Sequence, residues 1–248
     1  MLISAIVVGV DLNEIVTTLK SFSSAEDYVS EIVVIDSSEV ASVSNYHYIR
    51  EILKIPVKIF FASRDGICAA FNRGIEFASG DYIMFVNSGD SLLLDGLKSA
   101  CLRLNPSVSI VASPVEIYSS EGQFIRIWTG LDKRNHIVQI HQQGCIYKKS
   151  LHVTFGSFAS LFSCAMDTSF FAPILKRPNE YMIVYNDKPV VRFFLGGVSS
   201  VQAIRTMLEY FVISSLSSRR PVFFFLTRLP FFLVRLLAKC LLVIAPIF

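Results

Sequence analysis

Asp65 and Asp90 bracket the stretch of this 248-residue chain in which polar side chains gather around what reads as one crevice. Between them Ile67, Ala70, Phe71, Ile75 and Ala78 recur at three- and four-residue steps, the apolar face of a helix over residues 66–79. Gly80 and Asp81 break that period, and residues 82–86 run apolar without alternation, as a strand covered on both faces does. The run stops at Asn87-Ser88-Gly89-Asp90, just beyond the strand's carboxyl end, where open α/β sheets bind ligands. The spacing predicts Asp65 and Asp90 at the ends of neighbouring elements, facing one crevice. A capped helix and a solvated turn would use the same residues with no ligand at all. A third carboxylate, Asp36, ends a buried strand over 31–35; it could accept hydrogen bonds from a nucleoside base or ribose, or cap a turn. A fourth, Asp167, opens a helix with the apolar face Phe170, Phe171, Ile174 and Leu175, where an N-cap or first-turn acid is favoured. Pro173 should kink or shorten that helix, and Arg177-Pro178 ends it.

The elements that must hold these groups alternate. Residues 3–10, 31–35 and 57–61 read as strands and residues 13–22 as a helix through Ile15, Leu19 and Phe22. Strand–helix alternation up to Asp90 predicts an α/β fold with a mostly parallel sheet and helices on both faces. Residues 108–118 and 123–128 flank Ser119-Ser120-Glu121-Gly122, a β-hairpin signal. Ile140-His141-Gln142 precedes a further strand over 144–147, and residues 181–184 and 189–194 add strand signal. In Gly196-Gly197-Val198-Ser199-Ser200 the glycines allow close backbone approach to a diphosphate and the serines can donate to it; an ordinary strand-to-helix turn reads the same way. No G-x-G-x-x-G follows the first strand and no G-x-x-x-x-G-K-[ST] occurs, which argues against a dinucleotide-linked dehydrogenase and a P-loop kinase.

The totals narrow the class. Charged residues are 17% and apolar residues 52%, greasy for a soluble enzyme. Residues 201–248 hold six Lys or Arg and one Glu, a net of +5, so the whole-chain +3 leaves −2 for residues 1–200. A mildly acidic body with a basic, apolar tail suits an anionic membrane surface, and no basic run with interleaved aromatics marks a nucleic-acid site. Five scattered cysteines without a C-x-x-C pair argue against a disulfide framework or a zinc site and fit a reduced compartment. The apolar run over residues 1–10 is too short to span a membrane and carries no cationic leader. Residues 201–216 read as an amphipathic helix. Of the 27 residues over 222–248, 21 are apolar, interrupted by Arg228, Pro230, Arg235, Lys239 and others. Arg235 and Lys239 make a span costly, at about 2.5–3.5 kcal/mol per charge at the bilayer centre. Lying in the interface with the cations snorkelling costs much less, so the tail predicts monotopic attachment; a helix pair packed on the domain or on a partner subunit is the other reading.

The central stretch resembles the nucleotide-sugar-binding core of family 2 glycosyltransferases of the GT-A fold, and most of all the branch of bacterial colanic-acid, O-antigen and exopolysaccharide synthesis. That branch reads roughly E-x-D-x-G-I-Y-D-A-M-N-K-G-I, a short helix, G-D-Y, then F-L-N-S-G-D. Gly66, Ile67, Ala70, Asn72, Gly74, Ile75, Gly80, Asp81, Tyr82, Asn87, Ser88, Gly89 and Asp90 keep the pattern. Asp65 stands one residue later than the family's Asp, Cys68-Ala69 replaces its Tyr-Asp pair, and SSEVASV after Asp36 replaces G-G-S-x-D-G-T. The resemblance covers residues 3–200.

What the resemblance implies is an inverting glycosyltransferase. A GT-A domain would occupy residues 1–200, with a nucleotide-sugar half over 1–104 and an acceptor half over 105–200, and residues 201–248 would add helices for membrane attachment. Asp90 would be the charged ligand of Mg²⁺ or Mn²⁺, with Asn87 near the ribose. Asp36, Asp65 and Asn72 would hold nucleoside and diphosphate, Gly197 and Ser199 the diphosphate, and His141 and Gln142 would line the donor-sugar or the acceptor pocket. Asp167 falls on the family's general base, and Ser169 replaces the second acid that often follows. The expected donor is a nucleotide-diphosphate sugar, UDP-linked, and the expected acceptor a polyprenyl-diphosphate-linked saccharide. The place would be the cytoplasmic face of the bacterial inner membrane, with self-association through the C-terminal helices a further expectation. The losses after Asp36 and at Ala69 also keep open a non-catalytic, membrane-bound nucleotide-sugar module that scaffolds a polysaccharide complex.

Overall fold

The structure, a computed structural model, describes residues 1–40, 42–132, 137–138, 140–197, 202–217, 226–230 and 232–233. The chain alternates through β1 (Ile3–Gly9), α1 (Leu12–Lys20), β2 (Glu31–Asp36), α2 (His47–Ile52), β3 (Val57–Phe61), α3 (Ile67–Phe77) and β4 (Tyr82–Phe85). It continues through β5 (Ser91–Leu92), α4 (Leu94–Cys101), β6 (Val108–Ala112), β7 (Val115–Tyr118), β8 (Phe124–Trp128), β9 (Leu131–Asp132) and β10 (Ile137–Val138). A 3-10 turn over Gln142–Gly144 leads into β11 (Cys145–Lys148), α5 (Leu151–Phe155), α6 (Met166–Leu175), β12 (Met182–Tyr185), β13 (Val191–Phe194) and α7 (Ala203–Ser217).

Seven strands form the main sheet in the order β12-β6-β11-β4-β1-β2-β3, and only β11 runs against its neighbours. The middle of each central strand is apolar on both sides because both faces are covered. Alternate residues divide between two cores: Ala5, Val7, Ile32, Val34 and Met84 face Ile15, Leu19 and Leu97 of α1 and α4. Ile6, Val8, Val33, Ile35 and Phe85 face Phe71, Ile75 and Phe171 of α3 and α6. Burying a side chain of this size contributes about 1.5–3 kcal/mol, so the residue-by-residue alternation fixes register on both faces at once. The α/β architecture read from the sequence is the one observed.

The expected hairpin differs in detail. Residues 108–118 are two strands, broken at Ser113-Pro114: β6 joins the main sheet and β7 the second one, of order β5-β13-β7-β8. The hairpin itself is β7–β8, turning at Ser119–Gly122. The break matters because it lets the second sheet diverge from the first over the carboxyl ends of β1, β2 and β4. Pro173 lies inside α6, which still runs to Leu175.

Among the described residues no helix is long and apolar enough to cross a membrane. Residues 234–248, on which much of the membrane expectation rests, lie outside the described residues. Among the described residues, Cys68, Cys101, Cys145 and Cys164 are free thiols.

Candidate active site

Where β1 and β4 end, the chain opens into a cleft of about 1290 Å³ bounded on its far side by the second sheet. Its walls include Gly9, Asn13 and Glu14 after β1, Asn87 to Asp90 after β4, and Gln142 and Gln143 of the 3-10 turn. Ser163, Cys164 and Met166 to Thr168 around the start of α6, Phe193 to Gly197 at the end of β13, and Tyr210 of α7 complete them.

Asp90 is buried at 4% exposure and held from three directions. One carboxylate oxygen accepts the Phe194 N–H (2.8 Å) and the other the Gln143 side-chain amide (2.7 Å), while the Thr18 hydroxyl donates to the Asp90 carbonyl (2.7 Å). Burial pushes its carboxyl up to about 7 against the pull of those two donors, and the Glu14 carboxylate at the rim adds to the rise. Beside it, the Asn87 side-chain oxygen is buried without a partner, as are Nδ1 of His141 and Nε2 of Gln142. Buried polar atoms are nearly always paired, so three orphans along one cleft are a donor and acceptor set prepared for a bound molecule. The His141 ring sits edge-on between Trp128 (5.5 Å) and Phe193 (5.1 Å), and burial takes its imidazole down to about 4, so it is neutral at pH 7.

Asp167 lies in the first turn of α6 and lines the same cleft. Its Oδ1 accepts the N–H of Thr168 (2.7 Å). Burial raises its carboxyl to about 6 against that hydrogen bond, making it a stronger base than an ordinary carboxylate and one still ionised at neutral pH.

Of the residues singled out from sequence, Asp90, Asn87, His141, Gln142, Gly197 and Asp167 line the cleft; Ser199 lies outside the described residues. Three do not line it. Asp65 is exposed and turned to Arg73 (3.6 Å) and the Ser63 hydroxyl, because the loop puts Arg64 and Gly66 inward instead. Asp36 is wholly buried, accepting from the Ser38 N–H and the Tyr46 hydroxyl (both 2.8 Å), and Ser37 takes its place at the wall. Asn72 exchanges two hydrogen bonds with the Phe158 backbone (2.9 and 3.0 Å), clamping the loop before α6 onto α3. The crevice expected between Asp65 and Asp90 is therefore one between Asp90 and Asp167.

Sequence reasoning missed Gln143, which, rather than Gln142, holds Asp90; the 3-10 turn decides between the two adjacent glutamines. It also missed Tyr210 and Glu209, on a helix read as an appendage. One signal was there: Glu209 is the single acid of residues 201–248, and an acid alone in an apolar helix needs a buried partner.

Among the described residues no group of three or more His, Cys, Asp or Glu could hold a metal ion. Asp90 and Asn87 supply one carboxylate and one free amide oxygen. Such a set suits a hard cation that keeps its waters and shares substrate phosphates, not a closed protein cage.

The fold recurs in proteins of low identity. A structure of S. aureus TarS 1-349 in complex with UDP superposes with a TM-score of 0.64 at 17% identity, covering 88% of this chain and 65% of that one. TarS 1-349 with UDP-GlcNAc gives 0.64 at 18%, with the same coverage. The mannosyltransferase PcManGT from Pyrobaculum calidifontis, in complex with GDP-Man and Mn²⁺, gives 0.62 at 16%, covering 84% of this chain and 61% of that one. The chain thus spans less than two thirds of the length of these structures. No curated protein sequence matches it. The family model for glycosyl transferase family 2 matches residues 10–166, well over half the chain, a span that holds Asp90 and ends one residue before Asp167, so this protein belongs to glycosyl transferase family 2.

Proposed function

We propose that the protein transfers a sugar from a nucleotide-diphosphate sugar, UDP-linked, to a lipid-linked saccharide, with inversion at the anomeric carbon, in bacterial surface-polysaccharide synthesis. The observation that carries this reading is the shared cleft of Asp90 and Asp167, one buried carboxylate beside unpartnered polar atoms and one basic carboxylate at a helix amino end. UDP, UDP-GlcNAc and GDP-Man in structures of the same fold fit a donor of that class.

In the proposed reaction the acceptor hydroxyl attacks the anomeric carbon as the diphosphate leaves. Asp167 accepts the hydroxyl proton, and a single base with in-line displacement gives inversion. Asp90, with Asn87, would hold Mg²⁺ or Mn²⁺, which supplies positive charge against the leaving diphosphate. The Mn²⁺ found with GDP-Man in the mannosyltransferase supports that assignment. The donor would sit on the Gly9, Ser37 and Arg64 side, and Trp128 and Arg126 of β8 offer an aromatic face and a cation to the acceptor.

Attachment to the cytoplasmic face of the membrane is part of the proposal, as is self-association through the tail. Ile204, Leu208, Val212 and Leu216 recur every four residues as an exposed stripe on α7, in line with the apolar, basic residues that follow. The test is release of nucleoside diphosphate from a panel of UDP- and GDP-sugars with Mn²⁺ and a polyprenyl-diphosphate-linked acceptor, wild type against Asp167→Asn. Equal rates would remove Asp167 from its role. UDP binding without turnover of any donor would favour the nucleotide-sugar scaffold.

A further inference from the structure

Residues 201–217 lie outside the family match, yet the amino end of the helix bearing Asp167 is tied to them. Glu209 of α7, only 8% exposed, accepts three consecutive backbone N–H groups, from Ser163 (3.2 Å), Cys164 (2.8 Å) and Ala165 (2.9 Å). Arg205, one turn earlier, donates to the same carboxylate (2.9 Å). Ala165 is the N-cap residue of α6 and has no capping side chain of its own, so the capping charge arrives from 44 residues further along the chain. A carboxylate there satisfies backbone donors and lies at the favourable end of the helix dipole. Tyr210, the next residue, lines the cleft together with Asp167 and Thr168.

We infer that Glu209 is the positioning residue for Asp167, and that α7 is a wall of the active site as well as the root of the tail. Asp167 reaches the cleft from the second residue of α6, so its carboxylate follows any tilt of that first turn. Glu209 holds the three peptides that lead into the turn, and Tyr210 closes the cleft beside it. A misplacement of about 1 Å at a reacting group costs on the order of 100-fold in rate, which sets the scale for losing this clamp. The inference rests on the proposed role of Asp167 and adds the helix that presents it.

The test uses the full chain in detergent, wild type against Glu209→Gln, Glu209→Asp and, at an exposed position after α4 away from the cleft, Leu102→Ser. The amide of Glu209→Gln keeps the shape but loses the charge and one of the two accepting oxygens. Donor-consumption kinetics should show kcat reduced at least tenfold, with UDP affinity by calorimetry within twofold of wild type. Amide exchange at 163–165 should accelerate, Glu209→Asp should recover part of kcat, and Leu102→Ser should match wild type. Unchanged kcat with faster exchange overturns the inference, because Glu209 is then only a structural cap; so does a loss of kcat matched by an equal loss of UDP affinity. If the wild type consumes no donor, the transferase reading fails separately. Positioning is then read from the Asp167 carboxyl titration by carbon-13 NMR: a midpoint moved by Glu209→Gln supports it, an unmoved one overturns it.

Discussion

The side chain of Gln143 donates to Asp90 Oδ2 at 2.7 Å while its own carbonyl accepts the Asn87 N–H at 2.9 Å. That pair of bonds allows one orientation of the amide only. It joins the tip after β4 to the turn before β11, and the Phe194 N–H on the other oxygen of Asp90 adds β13. The main sheet and the second sheet thus meet at one buried carboxylate, and the cleft keeps its shape because each oxygen of that carboxylate accepts one hydrogen bond.

Replacing Gln143 by Leu keeps the bulk and removes both bonds. A buried donor or acceptor left unpaired costs about 1–3 kcal/mol, more for a charged one, so Gln143→Leu should lose about 3 kcal/mol in urea unfolding at pH 7. Gln143→Glu should be worse at pH 8 than at pH 5, because a second carboxylate would then face Asp90 ionised. Equal stability of the two variants at pH 8 would deny the contact.

Asp167 predicts a pH profile. With its carboxyl raised to about 6, kcat should climb as pH rises through 6 and level off above it, and Asp167→Asn should abolish that limb with a loss of about 10²–10⁴. Stability runs the other way. A carboxyl raised in the folded state adds stability fully below its ordinary value near 4 and loses it as pH rises through about 6. The stability of Asp167→Asn relative to wild type should therefore improve between pH 4 and pH 7, read by denaturant titration at both.

The fold was legible where both sheet faces are covered, since β1, β2 and β4 are short, mostly apolar runs bounded by polar or turn residues and alternating with helical periods. It was illegible at 108–118, where one apolar run feeds two sheets and only Ser113-Pro114 marks the change. Asp90 and Asp167 both line the cleft, and each sits at an element's end, where sequence spacing fixes position. Asp36, Asp65 and Asn72 turn to partners that spacing alone does not reveal: Tyr46 for the first, Arg73 for the second and Phe158, 86 residues away, for the third. Glu209 is the same effect in reverse, a contact across 44 residues that no local pattern encodes.

Away from the cleft, Glu31 opens β2 as a buried carboxylate bound by Lys58 (2.6 Å), the Ser4 hydroxyl and the Ser79 N–H. Burial alone would raise it, but those three donors outweigh burial and bring it down to about 2. A depressed carboxyl adds stability above its ordinary value near 4.5 and loses it as pH falls towards 2. Glu31→Gln should cost about 2–3 kcal/mol at pH 7, and the gap to wild type should close steadily between pH 4.5 and pH 2. A gap independent of pH would mean the charge is not what holds β1, β2 and β3 together at this end.

Gly144 ends the 3-10 turn that carries Gln142 and Gln143, and it is pressed against β6: its carbonyl accepts the Ser113 N–H at 2.7 Å. A Cβ at 144 would overlap the Ser113 carbonyl oxygen, which is backbone and cannot swing away. Gly144→Ala must push the turn off β6 or tear Gln143 from Asp90, at about 2–4 kcal/mol. Gly122, at the β7–β8 turn, is the contrasting case: it has a positive φ of 83° but nothing within 4 Å of an added Cβ. Gly122→Ala should therefore show strain alone, about 1–2 kcal/mol, with UDP affinity unchanged. Gly144→Ala should lower the melting temperature further and weaken UDP binding by calorimetry, because the turn it displaces forms part of the cleft wall. Equal UDP affinity in the two variants would show that the Gln143 tether does not shape the nucleotide side of the cleft.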